Sequence, residues 1–590
     1  MKQAIETVVS SLCDLIGTDY PEERVRQNVR IADPRFGDIS FACQNLSTEW
    51  YSKPPEISSW ITKEASFDPA NVERVEAMGP FVNIFLNRPN FIQRVLTDIR
   101  EQGCNYGRSS VGDSKLVLLD YSAPNIGKPL HIGHIRSTII GDSVINILRK
   151  AGFRTHGINY LGDVGLHIGK VIYSYQRYVD EKQLQVEPER ELQRLYVRFN
   201  EDHEKFVIKH QGTIEKSEST TPEDEDLESI DSPMMKEAKM IVARLEAGDP
   251  EARRIYERIH QASMISFERV YNLLGTSFDE IIGQGRFSDP GRKVVERALK
   301  IGVAERAEDG AIIVRKLEDH GLPPKVILKS DGTAIYSTQD LGAAFTRFED
   351  HHFDRLLYVV AEEQRTYFNQ MFKILDLLGY EWAKDCYHLS FGMIHLADEK
   401  MSSRRGNIIF LEDVLQKSID LAQSVIKDES LSQSERDVIA QAVGIGAIKY
   451  MVLGVDPNKN IKFSWDRALN LDANSSPYIQ YAYVRACSLM DGKDVEGVDA
   501  LHLTGNAEFS LVKKLAEYQM IVERAAETLK PNLIANYSND LARLFTSYYH
   551  SQKILDGSKA EASRLFLVDC FRTVVQDSLG LLGIKVPEKM

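Results

Sequence analysis

Two histidines three residues apart, His131 and His134, flank Gly133, with Lys128 just upstream. Side chains at that spacing share one face of a helical turn. Gly133 removes a side chain between them, where a flat ligand could approach the backbone. A helix N-terminus and a lysine both favour an anion there. Imidazole donors could meet charge developing on a phosphate. The set describes a cradle for a nucleoside triphosphate, although two histidines at a helix end also suit plain surface or a metal pair. Far downstream, Lys400-Met401-Ser402-Ser403-Arg404-Arg405-Gly406-Asn407 gathers cations, small hydroxyls and glycine in one loop. Such a loop suits a mobile clamp on a polyphosphate, although a basic loop by itself is more often plain surface.

These groups need a frame to hold them. Residues 115–121 are a short apolar run typical of a buried parallel strand. A loop follows, then a helical pattern through Ile132, Ile135, Ile139, Ile140, Val144, Ile147 and Leu148, with Pro129 suited to its first turn. Strand, loop and helix in this order open a doubly wound α/β domain, whose ligands bind beyond the strand ends. Strand-like runs at 311–314, 325–328, 355–360 and 387–395 alternate with helical stretches, as a continuing α/β sheet requires. Residues 175–271 are mostly helical in pattern, interrupted at 212–233 by an acidic stretch that reads as a solvated loop. Residues 79–87 alternate as a strand, 105–114 look like a linker, and from 436 onward the pattern is helical to Met590.

A chain of 590 residues with 43% hydrophobic and 27% charged residues has the composition of a soluble, multidomain globular protein. Ile5, Val8, Val9, Leu12, Leu15 and Ile16 recur at helical spacing, so residues 1–17 read as an amphipathic helix and not a signal peptide. No run approaches a membrane span. Six scattered cysteines, with no CxxC pair and no local zinc spacing, are expected to be thiols in a reducing cytoplasm; no structural zinc is expected. The formal charge of −14 weighs against a nucleic-acid partner, unless a local stripe such as Lys400, Arg404 and Arg405 supplies the contacts.

In this order the two constellations resemble the signatures of class I aminoacyl-tRNA synthetases. His131-Ile132-Gly133-His134 matches the HIGH motif, and Lys400-Met401-Ser402-Ser403-Arg404 is a KMSKS variant with its second basic group one place late. The surroundings are more specific. Ser122-Ala123-Pro124-Asn125-Ile126-Gly127-Lys128-Pro129-Leu130, Ile135-Arg136-Ser137-Thr138 and Asn159-Tyr160-Leu161-Gly162-Asp163 resemble arginyl-tRNA synthetases. The resemblance covers nearly the whole chain and leaves mainly residues 212–233 unexplained. Three places depart from the family pattern: Val164-Gly165-Leu166-His167 for Trp-Gly-Thr-Gln, Gln284-Gly285 for Glu-Ser, and Tyr367 for His.

The resemblance implies a Rossmann-like parallel-sheet catalytic domain with a helical insertion (109–435), an N-terminal α+β domain (1–108) and a C-terminal all-α helical bundle (436–590). It implies an arginine–tRNA ligase working on L-arginine, ATP and tRNA(Arg), with Mg²⁺ accompanying ATP. Catalysis would fall to His131, His134, Lys128 and Lys400, and ATP binding to His131, Gly133, His134, Lys400, Met401, Ser402 and Ser403. A planar, always charged guanidinium calls for carboxylates and polar partners. By resemblance, Asp120, Tyr336 and Asp340 would meet it, while Asn125 and Gln364 hold the α-amino and carboxylate ends. Phe81 and Asn83 would touch the tRNA corner, and Tyr548, Tyr549 and Met590 the anticodon. A monomer is the default. The rivals are another class I synthetase, an inactive tRNA-binding paralogue and a small-molecule nucleotidyltransferase.

Overall fold

The computed structural model describes the chain except residues 18–19, 34, 51, 211–229, 231, 396–407, 425, 427–429, 473, 494 and 496. The amphipathic start forms the helix Lys2–Ile16, which buries Ile5, Val8, Val9 and Leu12. Beyond it, β1 (Val29–Ile31), β2 (Ile39–Ala42), β3 (Val72–Met78) and β4 (Phe81–Leu86) form an antiparallel sheet in the order β1-β2-β4-β3. Alternation along β4 sends Val82, Ile84 and Leu86 into the core. This unit is fastened to the C-terminal helices. The Met1 ammonium donates to the Ala516 carbonyl at 3.1 Å, and Lys513 pairs with Asp38 at 2.8 Å. The linker expected at 105–114 is likewise packed at its start: the Tyr106 hydroxyl donates to the Leu515 carbonyl at 3.3 Å, and its ring stacks on Tyr518.

The central sheet begins with β5 (Leu116–Asp120), β6 (Arg154–Leu161) and β7 (Glu280–Gly283). Two runs expected to continue it do not. β9 (Ile312–Val314) and β10 (Lys325–Leu328) pair antiparallel with each other, and β8 (Glu305–Arg306) joins them in a separate three-stranded sheet. Their runs are short, and pattern alone does not say which sheet a strand enters. β11 (Arg355–Ala361) and β12 (Cys386–Phe391) then return to the parallel sheet, whose order is β12-β11-β5-β6-β7. The chain proceeds from β5 outward through β6 and β7, and later fills the other side with β11 and β12. The β5–β11 junction is therefore the switch point of the sheet, the place where such folds open a crevice.

Both faces of the sheet are covered, as an all-parallel sheet requires. Val117, Leu119, Leu357 and Val359 share a core with Ile139 and Ile140 of the helix Ile135–Lys150. Leu118, Ile158, Leu356 and Tyr358 face Leu341 and Ala344 of the helix Tyr336–His351 and Met371 of the helix Arg365–Leu377. Between β6 and β7 lie the expected insertion helices, among them Pro188–His210, Pro233–Glu246 and Pro250–Leu274. Past β13 (Ile394–His395), which pairs with β14 (Ile461–Lys462), long helices dominate from Gln433–Leu453 to Glu561–Leu581. Among the described residues no helix is long and apolar enough to cross a membrane.

Candidate active site

The loop leaving β5 is held in an unfavourable backbone conformation. Ser122 and Ala123 have φ of 72° and 47°, the left-handed region that non-glycine residues avoid. A buried polar network supports them. The Ser122 amide donates to Ser137 Oγ at 2.9 Å, the Ala123 amide to Asn159 Oδ1 at 3.2 Å, and Thr138 Oγ1 to Ser122 Oγ at 2.9 Å. The Tyr271 hydroxyl joins Ser122 Oγ at 2.8 Å and accepts from Asn159 Nδ2 at 3.1 Å. The turn aims Asn125 across to Gly162, where the two backbones form a parallel bridge. A Cβ at Gly162 would run into Asn125 Oδ1, so any larger residue there would push the Asn125 side chain aside.

The helix after this loop starts later than Pro129 predicts. Ile132–His134 is a 3₁₀ turn and the α-helix runs from Ile135. The two histidines cap that start themselves. The Gly133 amide donates to His131 Nδ1 and the His131 amide to His134 Nδ1, both at 3.1 Å. Each Nδ1 is therefore a lone pair, and the neutral ring carries its proton on Nε2. Burial, with Lys128 nearby, pushes His131 down to about 4, and burial next to His131 pushes His134 down to about 3. At neutral pH the pair is thus two uncharged Nε2–H donors with ring centroids 4.0 Å apart. A Cβ at Gly133 would press on the His131 ring at 2.7 Å.

The second loop's residues Lys400, Met401, Ser402 and Ser403, with Arg404 and Arg405, lie outside the described residues. The chain just beyond it meets the histidines: the Ile132 amide donates to the Ile409 carbonyl at 3.2 Å, and the Leu411 amide to Leu130 at 3.0 Å. On the other side Arg136, buried in the same helix, donates to the carbonyls of Gly392, Pro457 and Lys459 at 2.6–3.0 Å. The segments flanking the basic loop are thereby tied to the helix that begins at the histidines.

Asp120, Asn125, Tyr336, Asp340 and Gln364 all line one cavity of about 460 Å³ at the C-terminal ends of β5, β6 and β11. Its two acids differ. Asp120 is engaged by the buried guanidinium of Arg347 at 2.8 Å, which sits over the rings of Tyr160 and Tyr358. Asp340 instead receives neutral donors, the Tyr367 hydroxyl and, at 3.4 Å, Gln284 Nε2. Burial pushes its carboxyl up to about 6, against the opposing hydrogen bond from Tyr367. Asp340 is the acid whose charge remains for a cationic ligand. Sequence reasoning did not find Arg347; its spacing of two helical turns from Asp340 was the available signal. Two departures from the family pattern, Gln284 and Tyr367, converge on Asp340 itself. The third brings His167 beneath the loop, its Nε2 3.3 Å from the Gly162 carbonyl.

A second cavity, about 760 Å³, shares Asn125 and Tyr336 and runs under the insertion, where Lys128, Lys170, Lys239 and Lys329 outnumber the acids Glu246 and Asp331 in its lining. Lys128 lies 4.6 Å from the centre of the Tyr196 ring. Among the expected tRNA contacts, Phe81 and Tyr549 are exposed, at 40% and 36%. Asn83 and Tyr548 are buried, and Met590 packs partly against the core. Burial takes Asn83 and Tyr548 out of the directly accessible set, because neighbouring strands and helices cover their side chains.

The raised Asp340 value sets a pH dependence for binding a cation. A guanidinium stabilises the ionised carboxylate, so its binding is undiminished above about pH 6 and weakens as pH falls through that value. Titration calorimetry with a guanidinium ligand is expected to show about a tenfold loss of affinity per pH unit below that point. Asp340→Asn should flatten the profile.

Residues 95–465 match the family model described as tRNA synthetases class I (R), catalytic domain, and residues 479–590 match the DALR anticodon binding domain. An arginine–tRNA ligase of Clostridium beijerinckii is 36% identical over 561 residues, covering 94% of both chains. Arginine–tRNA ligase 2 of Bacillus anthracis is 36% identical over 586 residues, 99% of this chain and 97% of the relative. In fold, the chain is similar to the arginyl-tRNA synthetase of Thermus thermophilus, with TM-score 0.78 and 22% identity over all of both chains.

Proposed function

The chain belongs to the arginyl branch of the class I tRNA synthetases, and from that premise we propose how its residues carry the arginine–tRNA ligase reaction. The enzyme activates L-arginine with ATP and transfers it to the 3′ end of tRNA(Arg). An arginine carboxylate oxygen bonds to the α-phosphorus as the bond to pyrophosphate breaks. A terminal ribose hydroxyl of the tRNA then attacks the arginyl carbonyl, gives up its proton and releases AMP. The observation that carries the assignment of roles is the cavity that holds Asp340 with Asn125, Tyr336 and Gln364 at the switch point of the sheet.

In this reading Asp340 takes the substrate guanidinium, with Tyr336 beside it. Asp120, already paired, holds Arg347 and shapes the floor. Asn125 and Gln364 hold the α-amino and carboxylate groups. His131 and His134 donate their Nε2–H groups to phosphate oxygens as charge grows; their fixed tautomers are what such donation needs. Lys128 and Lys400 stabilise the departing pyrophosphate, with Gly133, Met401, Ser402 and Ser403 completing the ATP site. Mg²⁺ arrives with ATP, held by phosphate and water. Among the described residues, the one cluster of three metal-ligating side chains includes none of the site residues named here.

The lysine-lined cavity under the insertion suits the anionic acceptor end of tRNA. Residues 1–108, with exposed Phe81, would meet the tRNA corner, 109–435 perform catalysis, and 436–590, with Tyr549, read the anticodon. The test is aminoacylation of a total tRNA pool with each labelled amino acid in turn. Arginine alone should become acid-precipitable, and only on tRNA(Arg). Charging of another amino acid would overturn the assignment.

A further inference from the structure

At the opposite end of the sheet from the substrate cavity, three side chains from distant segments meet. His156 lies near the start of β6, Glu280 opens β7, and His351 ends the helix Tyr336–His351. In register Glu280 stands beside Ile158, so His156, two residues earlier, shares the face of Ile158 that this helix covers. One ligand atom from each of the three lies within 4.8 Å of the others. His156 Nε2 and Glu280 Oε2 are 3.4 Å apart, and the two imidazole centroids 4.7 Å apart. Two ligands about 2.0–2.1 Å from a tetrahedral ion stand about 3.3–3.4 Å from each other. The first pair already has that separation, and one ring nitrogen of His351 lies within 4.8 Å of both. The side chains of His156 and Glu280 are 25% and 35% exposed, which leaves a path for an ion and a place for water as fourth ligand.

We propose that His156, Glu280 and His351 form a zinc site that pins β6 and β7 to the C-terminal end of the helix carrying Asp340 and Arg347. Two imidazoles and a carboxylate are a ligand set for a borderline divalent ion, and the carbonyl end of a helix favours a cation. The neighbouring charges are accounted for. Asp279 accepts from the Gly157 amide at 2.7 Å and pairs with Arg149 at 3.3 Å, so it stands outside the ligand set. Asp350 and Arg347 act on His351 with opposite signs. The site lies about 13 Å along β6 from Tyr160 in the substrate cavity, at about 3.3 Å per residue. Its part is therefore structural. Asp340, Arg347 and His351 recur along one helix face at spacings of seven and four, so the ion would brace the helix that presents the acid to substrate. Scattered cysteines and local spacing argue against a structural zinc in the sequence, whereas these three ligands come from separate segments.

The test uses the full chain, stripped with chelator and titrated with Co²⁺ and Zn²⁺. One Co²⁺ per chain should bind, giving intense visible d–d bands that Zn²⁺ displaces, and Zn²⁺ should raise the Tm. Glu280→Gln should weaken Zn²⁺ binding at least tenfold, and His156→Ala and His351→Gln should abolish the Co²⁺ spectrum. Circular dichroism and arginine affinity in the absence of metal check that each variant is folded. No stoichiometric binding by the folded wild-type chain, or unchanged spectra in two folded variants, would overturn the site.

Discussion

Replacing Asp340 with alanine is expected to raise the Kd for L-arginine by about two orders of magnitude. Burial weakens solvation of this carboxylate, and the other acid lining the cavity, Asp120, is already paired with Arg347, so no second unpaired acid is available to take its place. Losing one partner of a buried, charge-assisted contact costs about 2–5 kcal/mol, and each 1.4 kcal/mol is about tenfold in affinity. The effect should appear in the Kd measured by calorimetry and in the KM for arginine, with the KM for ATP changing little. Asp340 lies on the surface of the cavity and its side chain is not ion-paired among the described residues, so the variant should fold. An arginine Kd within threefold of wild type would remove Asp340 from the pocket.

Replacing His134 with alanine is expected to act on rate instead. Removing one preformed donor to a developing oxyanion costs about 10²–10³ in turnover. Here the loss has a second source, since His134 Nδ1 also receives the His131 amide and so helps set the orientation of the other imidazole. Single-turnover adenylate formation should slow by at least that factor, while the arginine Kd stays near wild type. Equal losses in rate and in arginine affinity would show that the histidine supports the fold of the loop and not the chemistry.

Part of this site is legible in the sequence. The strand ending at Asp120 and the His131–His134 pair are visible as pattern and spacing, because each depends on residues close in the chain, whereas Asp340 is singled out only by the family resemblance. The parts that were not readable depend on tertiary pairing. Pro129 promised an early helix start, but the two histidines satisfy the backbone of a 3₁₀ turn and delay it. The runs that became β9 and β10 have parallel-sheet composition, yet pair with each other. Asn83 alternates onto the outward face of β4 with exposed Phe81, and is still covered by its neighbours. Nothing in the sequence singles out Arg347; only the sheet beneath it shows that it occupies Asp120. Gln284 and Tyr367 stood out as departures from a pattern, and their common target became clear only in three dimensions. Burial raises the Asp340 carboxyl, and the Tyr367 hydrogen bond works against that rise.

The central claim is that this cavity selects arginine for activation by ATP, and amino-acid-dependent ATP–pyrophosphate exchange measures it most directly. With tRNA(Arg) present, arginine should support exchange and the other amino acids should not. With tRNA omitted, exchange should fall to background. Exchange driven by a different amino acid, or none with arginine and tRNA together, would contradict the account.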